Sequence, residues 1–351
     1  ARIHTNSWGG PTGSESNPYG GYTLEARNAD QFTWSHKDST ILFSAGNSGT
    51  DANNNGVVDT DSIGSPATAK NVITIGASES FRTSGGYNFD GACFSWGGCW
   101  PDDFPMPPVA IDVPSNNVNG LAAFSSRGPT DDGRVKPDLV APGTNILSAR
   151  SHNAAAGTGW GQYSGNSHYV FMGGTSMATP LSAGAAALVR QWYVRDRQTA
   201  NPSGALIKAT LINGASSMAP GQYAYQPQAE VPATAPNHVV GWGRVNVAGS
   251  VAPSAPSRSW FDDHTQGLDT GNQVTYQFTT SAATTPAVRR ADAGRLIFEP
   301  TLPGPKDSAV QAGKPPAAPF EIPDHVDLPP NEGTAAMAAA GMERVQNGGC
   351  E

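Results

Sequence analysis

Gly173-Gly174-Thr175-Ser176-Met177-Ala178-Thr179-Pro180 sets two glycines and a small polar pair ahead of an alanine-rich run from Met177 to Arg195. The run is the longest helix signal in the chain, with Leu188, Val189 and Trp192 read as one apolar face. Glycines release the backbone just where the helix opens, and a proline in the first turn removes an N–H that has no partner there. Ser176 therefore stands beside unpaired N–H groups and the positive end of the helix dipole, where negative charge is favoured. Two roles suit that position: a helix cap, or a nucleophile whose tetrahedral adduct carries an oxyanion.

Outward from this helix, short apolar runs alternate with helical stretches. Arg2–Ser7, Thr40–Ala45 and Asn71–Gly76 read as strands, the last two without polar alternation, as strands covered on both faces should be. Leu121–Phe124 and Asp138–Val140 are further short strand candidates, and Thr23–Lys37 is a helix candidate. Strands alternating with helices give an α/β class with a parallel sheet flanked by helices. Between Glu79 and Gly120 lies an irregular excursion carrying Trp96 and Trp100, read as anchors for it. Trp242, between two glycines, reads as a core plug at a tight turn.

Three segments follow from the composition. Residues 1–252 form the α/β domain; 253–285 open a β-rich domain after the Pro253–Pro256 linker, with Asn272–Thr279 alternating as a half-covered strand; 286–351 are an irregular tail rich in Ala, Pro and Gly. The 351 residues carry a net charge of -8 with no basic stripe, which argues against a nucleic-acid partner. No apolar run is long enough to cross a membrane. Three cysteines are too few for a disulfide scaffold, although Cys93 and Cys99 could close a short loop, leaving Cys350 over.

The motifs now carry a resemblance. Gly174-Thr175-Ser176-Met177-Ala178-Thr179-Pro180 resembles the nucleophile motif of the subtilisin-like serine proteases, peptidase family S8. Phe43-Ser44-Ala45-Gly46-Asn47-Ser48-Gly49 resembles the family's oxyanion-asparagine segment, and Ser7-Trp8-Gly9-Gly10 its substrate-binding strand. Phe124–Pro129 and Lys136–Gly143 are also similar to family segments, and the likeness runs from about Arg2 to Val247, with Trp260–Thr280 resembling the start of a C-terminal β-domain. It implies a secreted serine endopeptidase acting on protein or peptide substrates: Ser176 as nucleophile, Asn47 in the oxyanion hole, and Ser7, Trp8, Gly9, Gly10, Ala45, Gly46 and Thr175 along the substrate. An esterase using the same acyl-enzyme chemistry, and an inactive fragment serving as a binding module, are the alternatives.

The family's triad Asp and His precede the oxyanion asparagine, and neither motif is in this sequence; His4, His36, His152, His168, His238 and His264 lack the expected surroundings. The chain thus reads as a fragment truncated at its N-terminus, with a proteolytic piece or a chain that pairs with its own separate N-terminal segment as the alternatives. Small neutral residues at Gly46, Asn47 and Ser65–Thr68 imply broad side-chain preference. No cofactor is implied for catalysis. The stretch from Asp51 to Ser62 places Asp51, Asn53, Asn55, Val57, Asp59 and Asp61 at alternate positions, the layout either of a structural calcium loop or of an Asn-rich solvated turn.

Overall fold

The computed structural model describes residues 1–10, 13, 18–87, 94–155, 157, 159–223, 229–253 and 259–264, and the backbone of four later strands. At its centre β1 (Ile3–Asn6), β2 (Thr40–Ser44), β3 (Ile73–Ser78) and β4 (Leu139–Pro142) form a parallel sheet in chain order. Leu42 stands opposite Ile73, and Ile75 opposite Leu139. Because side chains alternate along a strand, β2 feeds two cores. Leu42 joins Ile73, Ile75 and Leu139 on one face, while Ile41 and Phe43 join Ala26 of α1 (Leu24–Ser35) on the other. This two-sided burial is why β2 and β3 show no polar alternation.

The excursion after β3 contains the short helix α2 (Trp96–Cys99). Trp96 is fully buried, its ring edge-on to Phe104 and Phe124 at 6.0 and 5.6 Å, so it does anchor the excursion. Cys99 is disulfide-bonded. Cys93 and Cys350 lie outside the described residues. Leu121–Phe124 is no strand; it makes a single bridge, Leu121 to Ser78, because the Leu121 N–H is taken by the Glu230 carboxylate. The sequence reading also missed an antiparallel hairpin of β5 (Ile146–Ala149) and β6 (Tyr169–Met172).

The long helix α3 spans Thr175–Asp196 and packs Ala178, Ala185, Ala186, Val189 and Tyr193 into the main core. Its buried face is built largely of small residues, so the helix sits close to the sheet. Leu188 is 53% exposed, because it stands about 100° around the helix from Val189 and only the latter faces the sheet. Beside it lies α4 (Gly204–Asn213), buried almost throughout and capped by Ser203 Oγ, which accepts from Leu206 N–H at 2.9 Å. After α5 (Val247–Val251), β7 (Ser259–His264) pairs antiparallel with β11 (Ala339–Asn347), which also pairs with β8 (Thr284–Arg289). A two-stranded pair joins β9 (Ile297–Phe298) and β10 (Phe320–Glu321). Asn272–Thr279 lies outside the described residues.

Candidate active site

Gly174, at φ 142°, is the cap of α3, so Ser176 is the second residue of the helix and is not its cap. Pro180 consequently falls in the second turn. There a missing N–H orphans the carbonyl four residues back, which is that of Ser176. Ser7 supplies the missing donor: its Oγ donates to the Ser176 carbonyl at 2.8 Å, while the Ser176 Oγ donates to the Ser7 carbonyl at 3.4 Å. The proline thus ties the nucleophile motif to the strand end at Ser7, a role that its position in the sequence alone concealed. Among the described residues, no histidine hydrogen-bonds Ser176.

Asn47 leaves β2 after Gly46, whose φ of 108° favours glycine. Its Oδ1 accepts from both the N–H and the Oγ1 of Thr175, each at 2.9 Å. With the amide oxygen held, Nδ2 is turned the other way. A Cβ built on Gly174 would lie 3.5 Å from Asn47 Nδ2 and 3.6 Å from the Ser176 nitrogen, so these two nitrogens flank the same point beside the helix start. Ser126 braces the turn from behind: its Oγ accepts from Ser48 N–H and its N–H donates to the Gly46 carbonyl, both at 3.0 Å. The Phe124–Pro129 motif is therefore a scaffold for the asparagine.

Ser7–Gly10 runs past Ser65, with Gly10 N–H donating to the Ser65 carbonyl at 3.1 Å. Trp8 is 56% exposed and meets Phe43 edge-on. Ala45, assigned to the substrate by its motif, is fully buried among Ile41, Phe43 and Ile63, so its side chain supports the turn from the core.

In the Asp51–Ser62 loop the carboxylates serve the loop itself. Asp51 is fully buried and accepts from the N–H groups of Asn55 and Gly56, both at 2.9 Å. Asp59 accepts from Ala52 N–H and from the Asn53 amide, and Asn55 Oδ1 accepts from Val57 N–H. The carboxylate oxygens of Asp51 and Asp59 are thus engaged with N–H groups of the loop itself. No group of three or more His, Cys, Asp or Glu that could hold a metal occurs among the described residues.

Two charged clusters escaped the sequence reading, because their members lie far apart in the chain. Asp138, fully buried at the head of β4, accepts from Lys136 Nζ at 2.8 Å and Thr74 N–H at 2.7 Å, while Lys208 Nζ of α4 lies 2.9 Å from its other oxygen. Burial pushes Lys136 down to about 7, and the two ammonium groups hold the Asp138 carboxyl below its usual range against its own burial. The second cluster joins Glu79, Asp112 and Glu230. Burial, then repulsion from Glu230, pushes Asp112 up to about 8; burial pushes Glu230 up to about 7, and burial and both neighbours raise Glu79. Gln222 bridges the last two segments, its side chain donating to Asp112 and its N–H to Glu230.

The Peptidase S8, subtilase family model matches residues 1–243. The Serine protease/ABC transporter B family protein tagB of Dictyostelium discoideum is 30% identical over 317 residues, 74% of this chain and 16% of that protein. Serine protease AprX of Bacillus subtilis is 35% identical over 151 residues, 43% of this chain and 26% of that protein. The chain therefore spans a minor part of these relatives' lengths. Among solved structures, that of Patellamide maturation protease PatA is 22% identical with a TM-score of 0.42, covering 72% of this chain and 62% of the other.

Proposed function

The chain belongs to the subtilase family, and on that premise we propose that it is the Ser176-bearing part of a serine endopeptidase. Ser176 Oγ attacks a peptide carbonyl, and the tetrahedral oxyanion forms between Asn47 Nδ2 and the Ser176 N–H. The intermediate collapses with cleavage of the C–N bond, the amine leaving with the proton that the base took from Ser176, and water then hydrolyses the acyl-enzyme to release the carboxylic acid and restore the Ser176 hydroxyl. One observation carries the reading: both acceptor bonds on Asn47 Oδ1 come from Thr175, so the amide donor is held beside the serine before substrate arrives. The N-terminus of a 22-residue helix adds favourable potential at the same point. Ser7–Gly10 would carry substrate main chain by strand addition.

The serine proton needs a base, and the family's motif order assigns it to a histidine, oriented by an aspartate, on polypeptide preceding Ser7. Export from the cell belongs to the same proposal, supported by the disulfide at Cys99 and the low charge of the chain. The test is intact mass after treatment with a fluorophosphonate, on this chain and on a form extended at the N-terminus. On the extended form an adduct is expected that is missing from Ser176→Ala and reduced in Asn47→Ala. No adduct on either form, or one that persists in Ser176→Ala, would overturn the proposal. The expected loss in kcat for Asn47→Ala is about 10²–10³-fold, a magnitude taken from this same protease family and not worked from the present geometry.

A further inference from the structure

A cavity of about 610 Å³ opens beside the start of α3, with Asn47, Gly173 and Gly174 on one side. Aromatic rings floor it. Trp160 stands 6.2 Å from Trp100 and edge-on to Phe124 at 6.1 Å, and all three line the space. The Trp160 indole lies so close on the serine loop that a Cβ at Gly173 would come within 2.1 Å of it, so the floor is fixed relative to Ser176. Asp59, Asp61 and Asp103 complete the lining, and among the described residues no Lys, Arg or His joins it. Asp61 and Asp103 are exposed.

We infer that this cavity is a subsite for a lysine or arginine side chain of the polypeptide bound at Ser176, an inference that rests on the peptidase reading above. A long cationic side chain meets both demands of the walls: its apolar stem covers indole faces, and its charge is attracted by the ring faces and by three carboxylates. An acidic side chain meets like charges, and among the described lining residues no cation offsets them, Arg127 acting on Asp59 from behind the wall. The neutral residues around Asn47 implied breadth; the charge enters from Asp59, Asp61 and Asp103, which folding brings to the same cavity.

The test is binding, so that it does not depend on turnover. The Ser176→Ala chain is titrated with an alanine octapeptide bearing one central arginine and with its citrulline counterpart, which keeps the shape and removes the charge, following tryptophan fluorescence. The arginine peptide is expected to bind about tenfold more tightly, with the advantage shrinking at high salt and falling to about twofold in Asp61→Asn/Asp103→Asn, where Asp59 and the ring faces remain. Both positions are exposed, and Asn suits the left-handed φ of 65° at Asp61, so the fold should tolerate the pair. Equal affinity for the two peptides, or an advantage undiminished by the double substitution, overturns the inference. Cleavage is scored separately on the form extended at the N-terminus, with Ser176 intact. An arginine advantage without cleavage would leave the subsite standing and count against the peptidase, and cleavage without the advantage would do the reverse.

Discussion

Replacing Asp138 by asparagine would leave two buried lysines facing a neutral amide. Lys136, Asp138 and Lys208 are all buried, and the carboxylate lies within 2.9 Å of both ammonium nitrogens. Removing one partner of a buried ion pair costs about 3–5 kcal/mol, mostly because the remaining charge is left uncompensated. At about 2–4 °C per kcal/mol for a domain of this size, the unfolding midpoint should fall by about 10 °C. The loss also depends on pH. Lys136 is already held down at about 7 with Asp138 beside it. Without the carboxylate its folded value drops further below the roughly 10.4 of an unfolded lysine. Between those two values the unfolded chain binds more protons than the folded one, so stability rises with pH across the window. The variant should therefore lose most in mildly acidic buffer and least in alkaline buffer. Thermal unfolding followed by circular dichroism over a pH series, on the native chain and Asp138→Asn, measures both effects. A loss below about 1 kcal/mol in mildly acidic buffer, or one that grows as pH rises, would refute the reasoning.

The carboxyl cluster predicts the opposite slope. The folded values of Asp112 and Glu230, about 8 and about 7, lie above those of the unfolded chain, so the stability they give is full in acid and lost as pH rises through neutrality. Asp112→Asn should flatten that fall, and an unchanged slope in its pH-dependent melting curve would count against it. Gly173→Ala drives a methyl into Trp160 and should cut Ser176-dependent labelling severely, with Gly173→Ala/Trp160→Ala recovering part of it; a fully active Gly173→Ala would mean that the contact is slack. Since the Asp51 and Asp59 oxygens already hold the N–H groups of their own loop, adding calcium or a chelator should leave the melting temperature unchanged. A calcium-dependent rise that Asp59→Ala abolishes would return the loop to a metal.

Much of the framework is local and was therefore legible. Unalternated apolar runs at Thr40–Ser44 and Ile73–Ser78 report burial on both faces, and the glycines before Thr175 report a backbone break. Those signals depend on neighbours a few residues away. Leu188 was misassigned because periodicity in an alanine-rich helix leaves its azimuth poorly defined, and Leu121–Phe124 because a carboxylate 109 residues away takes the N–H that a strand would have used.

By itself, the amino-acid sequence determined that the chain is α/β, that a serine opens its longest helix, and that an asparagine sits on a glycine-bounded turn. Tertiary structure alone decided what each of these groups faces: Thr175 locking Asn47, Ser7 completing the carbonyl that Pro180 orphans, two lysines converging on Asp138, and tryptophans and carboxylates from three separate loops meeting in one cavity. The physical reason is range. Backbone propensity and side-chain periodicity act over a few residues, whereas hydrogen bonds, burial and charge depend on distances that exist only once remote segments have packed together.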